Sequence, residues 1–174
     1  MFKKEFKRIA SLENGTFYYH DKNIAVGGGV RSPRIIYLLM VDYKGYTIKI
    51  KNETGFSYHG IITCEMKTNG KPLEFELTTR SNFSSLFRRN KERFQINARH
   101  LNVEAFLKQS DILKELEQVA RKDLFEPTIT GVYDGSIFRL TTKYHLQFSD
   151  WTQVLEPFIS FYKQWIDKYT ETKH

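Results

Sequence analysis

The chain has 174 residues, of which 40% are hydrophobic and 27% charged, values typical of a globular protein rather than a disordered or fibrous one. Its only cysteine, Cys64, excludes an intramolecular disulfide. The formal net charge is +7, and residues 1–100 carry the excess, with 18 Lys and Arg against 9 Asp and Glu, so an anionic partner is one explanation of the composition.

The first predicted element is a short N-terminal helix. Phe2, Phe6 and Ile9 recur at helical spacing, and Gly15 follows as a stop signal. The first residues are too charged for a signal peptide, and the longest apolar run, residues 35–41, is far shorter than the roughly 20 residues that span a bilayer. These features predict a cytoplasmic protein without a transmembrane segment, the alternative being a piece of a longer membrane-anchored protein.

Alternation of apolar and polar residues then predicts a series of antiparallel strands. Residues 17–19 indicate a first strand, and residues 35–41 a strand that is buried on both faces. A turn at Lys44-Gly45 leads into a third, alternating strand.

The next strand is expected to place Phe56 and Tyr58 on the same face as Cys64. Asn69-Gly70 has the composition of a two-residue hairpin turn, because both positions of such a turn need a positive φ. The strands on either side of it are therefore predicted to be neighbours in a meander.

The second half of the chain is predicted to contain a middle helix and another hairpin. Asn102 is the expected N-cap of the helix, and Asp111 is expected to interrupt or re-cap it. Asp134-Gly135 is the expected two-residue loop of the hairpin, which would pair Tyr133 with Ser136.

A long amphipathic helix is predicted to close the chain. Ser149-Asp150 has the composition of its N-terminal cap, and Pro157 lies within the helical pattern. The order α-β(several)-α-ββ-α predicts an α+β fold over residues 1–174 as one domain. In this fold an antiparallel, meander-like sheet packs against an N-terminal helix, a middle helix and the C-terminal helix.

Two groups of residues are candidates for binding. The first is a basic segment interleaved with phenylalanines, a composition that suits single-stranded nucleic acid or another polyanion. Its polyanion-binding candidates are Arg80, Arg88, Arg89, Lys91, Arg93 and Arg99. The second is the aromatic stripe of the last helix, whose partner-facing or ligand-facing candidates are Trp151, Phe158, Tyr162, Trp165 and Tyr169. Both groups have a structural explanation as well, as a solvated edge and as core.

No catalytic motif outweighs its structural explanation. Gly27-Gly28-Gly29 leads through Pro33 into an apolar strand rather than a helix N-terminus, which favours a flexible connection or a bulge over a phosphate loop. None of the five histidines has a partner at a known metal-ligand spacing, and Cys64 is expected to be buried and unreactive. An acid–base pair assembled by the fold from His20-Asp21 and His59 is the remaining catalytic alternative. We therefore predict a protein that is not an enzyme, with no cofactor and no metal.

Three hypotheses of function follow from the sequence. The favoured one is a binding module that docks a protein or peptide, or a second copy, through the sheet or the C-terminal helix. The second is nucleic-acid or polyanion binding through residues 80–99. The third is a small apolar ligand held between the sheet and the C-terminal helix.

Overall fold

The computed structural model describes residues 2–68, 73–80, 92–149 and 151–170. Within these ranges the chain forms four helices and one eight-stranded sheet, and every neighbouring pair of strands is antiparallel. The helices are α1 (Phe2–Leu12), α2 (Leu101–Gln109), α3 (Asp111–Lys122) and α4 (Thr152–Tyr169). The strands are β1 (Thr16–Gly27), β2 (Val30–Tyr43), β3 (Tyr46–Gly55), β4 (His59–Met66), β5 (Phe75–Thr79), β6 (Phe94–Ala98), β7 (Thr128–Asp134) and β8 (Ile137–His145). The predicted α+β class is confirmed.

The strand order in the sheet is β1-β2-β3-β4-β8-β7-β5-β6. The first four strands form a meander, as predicted. The β7–β8 hairpin then lies between β4 and β5, so the prediction that these two strands are neighbours is wrong. Asn69-Gly70 itself lies outside the described residues. Turn composition is a local property, whereas the strand that pairs with β4 comes from a much later part of the chain.

The second predicted hairpin is present with a different register. Asp134 pairs with Ile137, so the loop is Gly135-Ser136, and Tyr133 pairs with Phe138 rather than with Ser136. Gly135 has a φ of +63°, which suits the first central position of a tight hairpin turn. Because the shift is two residues, every side chain of the hairpin keeps its predicted face.

The helices pack against one side of the sheet, which we call the inner face. In α1, Phe6 contacts Phe17 of β1, with ring centroids 5.8 Å apart. In α4, Trp165 stacks on Phe138 of β8 at 5.6 Å, and Phe106 of α2 contacts the same indole. Helix α3 packs on α4. The inner-face side chains of the central strands are buried, among them Leu39, Val41, Ile48, Ile50, Ile62, Cys64 and Leu140.

Two predictions about burial differ from the structure. They concern the opposite side of the sheet, which we call the outer face, and the residues before β4. In β2, Leu39 is buried but Leu38 and Met40 are only half-buried, so this strand is not buried on both faces. Phe56 and Tyr58 are 59% and 55% exposed, because they precede β4 and do not share its alternation. No helix in the described ranges is long and apolar enough to cross a membrane.

The predicted middle helix is two helices. Asn102 is not the N-cap; instead its backbone N–H donates to Nδ1 of His100 at 3.3 Å. The expected interruption near Asp111 is confirmed, and Ser110 caps α3 by accepting from the N–H of Leu113 at 3.3 Å. Both caps satisfy backbone donors that have no partner within the helix.

The C-terminal helix begins later than expected. Its first residue is Thr152, and Trp151 is the N-cap without a side-chain hydrogen bond. The Ser149 N–H and hydroxyl both donate to Oδ2 of Asp123 at 2.7 Å, so Ser149 ties the chain to the end of α3 instead of capping α4. Asp150 lies outside the described residues.

Candidate binding surfaces of the sheet

The aromatic stripe of α4 belongs to the core. Trp151 is 2% exposed, and Phe158, Tyr162 and Trp165 have no exposed surface. Tyr169 is half-buried, and its ring lies 4.7 Å from that of Trp165. The expectation that these residues face a partner is therefore corrected for the four buried rings, which cover the inner face of the sheet.

The same rings occupy the space in which an apolar ligand was hypothesised. Trp165 has Phe75 at 4.8 Å and Phe138 at 5.6 Å between ring centroids. The Tyr162 hydroxyl donates to the backbone oxygen of Ile62 at 3.0 Å and lies 3.1 Å from Oγ1 of Thr142. Burial raises the pKa of Tyr162 well above its usual value. This is the environment of a packed core with a satisfied hydroxyl.

The described residues of the basic segment do not form one surface. Arg93 is 3% exposed, and its Nε donates to the backbone oxygen of Ala120 at 3.2 Å. Its guanidinium also donates to the Arg80 backbone oxygen and to Oε1 of Glu126. Arg93 thus joins β6 to the end of α3, and it is corrected from a polyanion ligand to a structural residue.

The remaining basic candidates are spread out or not described. Arg80 pairs with Arg93 through the backbone at one end of β5 and β6. Arg99 lies at the other end, where its guanidinium bonds to Glu74. Arg88, Arg89 and Lys91 fall outside the described residues.

The glycine run forms a hairpin turn. Gly28 and Gly29 have φ values of +58° and +75° and connect β1 to β2, and the register shifts between Ala25 and Gly27. Of the two alternatives that the sequence favoured, a flexible connection or a bulge, the structure has a turn with an irregular register beside it. Because the turn joins two strands, it lacks the helix N-terminus that a phosphate loop requires.

Strand β1 is one edge of the sheet that the described residues form. It has 12 residues and pairs with β2 on one side, and none of the described strands pairs with its other side. Strands in globular proteins are typically about 5–6 residues long, and natural edge strands are usually kept short or covered.

The hydrogen-bond alternation assigns which backbone groups of β1 point outward. Lys44 and Gly45, with φ values of +49° and +77°, form a two-residue turn that makes Tyr43 and Tyr46 a hydrogen-bonded pair. Counting back along β2, every second residue bonds to β3 and the others bond to β1. The β1 residues that direct their N–H and C=O away from the sheet are therefore Phe17, Tyr19, Asp21 and Asn23.

A hydrogen bond just before the start of β4 supports this assignment of the hydrogen-bonded pairs. Carried through β3 and β4, the alternation makes Tyr58 and Leu146 a hydrogen-bonded pair. The N–H of Leu146 indeed donates to the Tyr58 oxygen at 3.1 Å.

The opposite edge is shorter and partly covered. Strand β6 has five residues, and α2 packs against it. The N–H of Phe94, one of its outward backbone groups, lies 3.4 Å from Oε1 of Glu117 in α3. The two edges therefore differ in length and in access to solvent.

The structure also brings together histidines that the sequence did not pair. His59 of β4 and His145 of β8 lie directly opposite each other on the outer face. His20 lies three strands away from His59 in β1, and His100 precedes α2. His174 is outside the described residues. The alternation of β4 and β8 was visible in the sequence, but their pairing was not. In the described part of the chain no three His, Cys, Asp or Glu side chains form a group that could hold a metal ion.

No protein-family model, no curated protein and no solved structure matches this chain.

Proposed function

We propose that this protein is a non-catalytic binding module that takes up an extended, acidic segment of a partner protein as an additional strand beside β1. The observation that carries the proposal is the 12-residue edge strand β1, with whose outer side none of the described strands pairs. An added strand would bond to the outward N–H and C=O groups assigned above. Backbone pairing of this kind provides affinity, and the alternate side chains provide specificity.

The surroundings of the edge favour an acidic segment. Lys22 is an exposed residue of β1, and Nζ of Lys3 lies 4.0 Å above the ring of Tyr19. Asp21 is the one acidic side chain of β1, and its carboxylate accepts from the Tyr19 hydroxyl at 3.1 Å. Basic side chains beside a strand edge attract a carboxylate-rich peptide and repel a basic one.

The exposed rings of β1 give the segment apolar contacts. Tyr18 is 53% exposed and Tyr19 is 38% exposed, on opposite faces of the strand. Next to Tyr18 on the outer face lies Leu38, half-buried in β2. A bound strand with alternating acidic and apolar residues could contact these side chains while its backbone pairs with β1.

The test replaces Asn23, an exposed residue of β1, by proline. Because the Asn23 N–H points away from β2, Asn23→Pro removes an outward donor without breaking a bond to the neighbouring strand. Ala98→Pro is the matched control, since Ala98 is an outward position of the other edge strand, β6. The probes are labelled peptides of about ten residues, alternating Val with Glu or Val with Lys.

We expect the Glu peptide to bind the wild type and Ala98→Pro with similar affinity, more tightly than the Lys peptide, and with an affinity that falls as salt is added. Asn23→Pro should weaken binding about tenfold or more, as expected from the loss of a backbone bond and of strand alignment. Equal binding by wild type and Asn23→Pro would refute strand addition at β1. A wild-type dimer that Asn23→Pro converts to a monomer in light scattering would assign the edge to a second copy instead.

A further inference from the structure

A cleft of about 530 Å³ opens on the outer face where β3, β4, β8 and the start of β7 lie side by side. Its lining includes Lys51, His59, Ile61, Thr128, Lys143 and His145. These side chains come from four strands that the sequence separates by up to 94 positions, so the cleft is a product of the strand order. Strand β2 separates it from the β1 edge strand.

The ladder brings the two imidazoles close together. Since Tyr58 and Leu146 are a hydrogen-bonded pair, the next pair, His59 and His145, is of the non-hydrogen-bonded kind. In such pairs the Cα atoms are only about 4.5 Å apart and the side chains are correspondingly close. The adjacent pair on the same face is Ile61 and Lys143, and Lys51 lies across from Ile61 on β3.

The charges around the cleft are predominantly positive. The side chains of Lys143, His59 and His145 have no hydrogen-bond or ion-pair partner among the described residues. Lys51 lies 3.6 Å from Oε2 of Glu53, but that carboxylate already accepts two bonds from Arg34, at 2.9 and 3.0 Å.

One further acid lies on the rim of the cleft. Glu126 has the guanidinium of Arg93 at 3.4 Å, so its charge is partly compensated by a buried arginine. Thr128, on the same side of the cleft, adds a hydroxyl that can donate a hydrogen bond.

We infer that this cleft binds a tetrahedral oxyanion, of the phosphate or phosphoryl type, between the ammonium groups of Lys51 and Lys143 and the imidazoles of His59 and His145. The lysines supply the charge, and each protonated imidazole supplies an N–H donor. Histidine changes its charge between about pH 5 and pH 8, and a bound anion favours the protonated form, so binding takes up protons. This inference is independent of strand addition at β1.

A divalent metal ion is the competing occupant of a histidine pair. Among the described residues no three His, Cys, Asp or Glu side chains form a group that could hold a metal ion, and the two ammonium groups of the cleft repel a dication. The charge of the cleft therefore favours an anion.

The test is a titration of the full chain with sulfate at constant ionic strength, followed by calorimetry and by NMR of the histidine ring protons. Sulfate remains a dianion throughout the pH range used, so any pH dependence reports on the protein. We expect the His59 and His145 signals to shift on addition of sulfate, and the affinity for sulfate to rise severalfold as the pH falls from about 8 to about 6.

Variants at the cleft distinguish sulfate binding at this site from nonspecific attraction of sulfate to a positively charged protein. Lys143→Gln should weaken sulfate binding about tenfold, the equivalent of one hydrogen bond to a charged group. Lys67→Gln, at the other end of β4, removes the same charge and should leave the affinity unchanged. Glu126→Gln, which keeps an acceptor for Arg93, should tighten binding.

Equal losses in Lys143→Gln and Lys67→Gln would overturn the inference, as would Zn²⁺ binding at His59 and His145 without sulfate binding. A thermal melt of each variant verifies that it is folded. Inorganic phosphate and a phosphoserine peptide with its unphosphorylated twin then identify the source of the oxyanion. Tighter binding of the phosphopeptide supports a phosphoryl group on a protein, and equal binding supports a free phosphate. Failure of both phosphate probes would refute the site.

Discussion

The two faces of the sheet are made by the same strands and have opposite roles. On the inner face, Ile50, Ile62 and Leu140 are fully buried beneath α4. On the outer face, their neighbours along the chain are charged or hydroxyl-bearing, and several form local ion pairs, such as Arg139 with Glu65 at 2.9 Å. This difference indicates that the inner face sets the stability of the fold. The outer face and the β1 edge carry the two proposed binding sites.

The largest effect is expected on the inner face. Trp165→Ala should lower the free energy of unfolding by about 3–5 kcal/mol, because the indole contacts rings from β5, β8 and α2. Trp165→Phe should cost much less, since it keeps ring contacts and removes an indole N–H that has no partner among the described residues. Urea unfolding measures the change in the free energy of unfolding for both variants. A loss below about 1 kcal/mol for the alanine variant would contradict the assignment of α4 to the core.

An intermediate effect is expected at Glu53, the buried exception on the outer face. The carboxylate is 4% exposed and accepts bonds from Arg34 and from the Ser57 hydroxyl. Glu53→Gln should destabilise by about 1–2 kcal/mol, a moderate value because Arg34 is partly exposed. Glu65→Gln is the control, because its ion pair with Arg139 is exposed and should contribute little.

The Glu53 effect should depend on pH in a defined direction. The hydrogen bonds from Arg34 lower the pKa of Glu53 from 4.5 to about 2. The folded state therefore favours the ionised carboxylate, and its stabilisation is complete above about pH 4.5 and lost as the pH falls toward 2. The difference in stability between wild type and Glu53→Gln should shrink over that interval. A difference that stays constant down to pH 2 would show that the charge of Glu53 is not what stabilises the fold.

The smallest effect is expected for an outer-face lysine. Lys49→Gln should change the free energy of unfolding by less than about 0.5 kcal/mol, since Lys49 is an exposed residue of β3 whose side chain has no hydrogen-bond or ion-pair partner among the described residues. Parallel urea unfolding of wild type and variant measures it. A loss of about 1 kcal/mol or more would contradict this distinction between the two faces.

Local patterns in the sequence were sufficient to predict helices and strands and which of their faces is buried. The spacing of Phe2, Phe6 and Ile9 predicted α1, and the parity of Cys64 predicted its burial; the thiol is 1% exposed, and burial raises its pKa to about 12. The Lys44-Gly45 turn was also placed correctly. Helical period, strand alternation and turn chemistry depend on residues within a few positions of one another, and for that reason a single sequence reveals them.

Only the tertiary structure decided how these elements are combined. It placed the β7–β8 hairpin between β4 and β5, left β1 as a long open edge and brought His59 beside His145. It also buried Arg93 and the rings of α4, whose composition alone suited a binding surface equally well. These outcomes depend on contacts between residues far apart in the chain, and the free energy of burying a side chain depends on what covers it. A local sequence pattern specifies neither the long-range contacts nor the residues that cover a side chain.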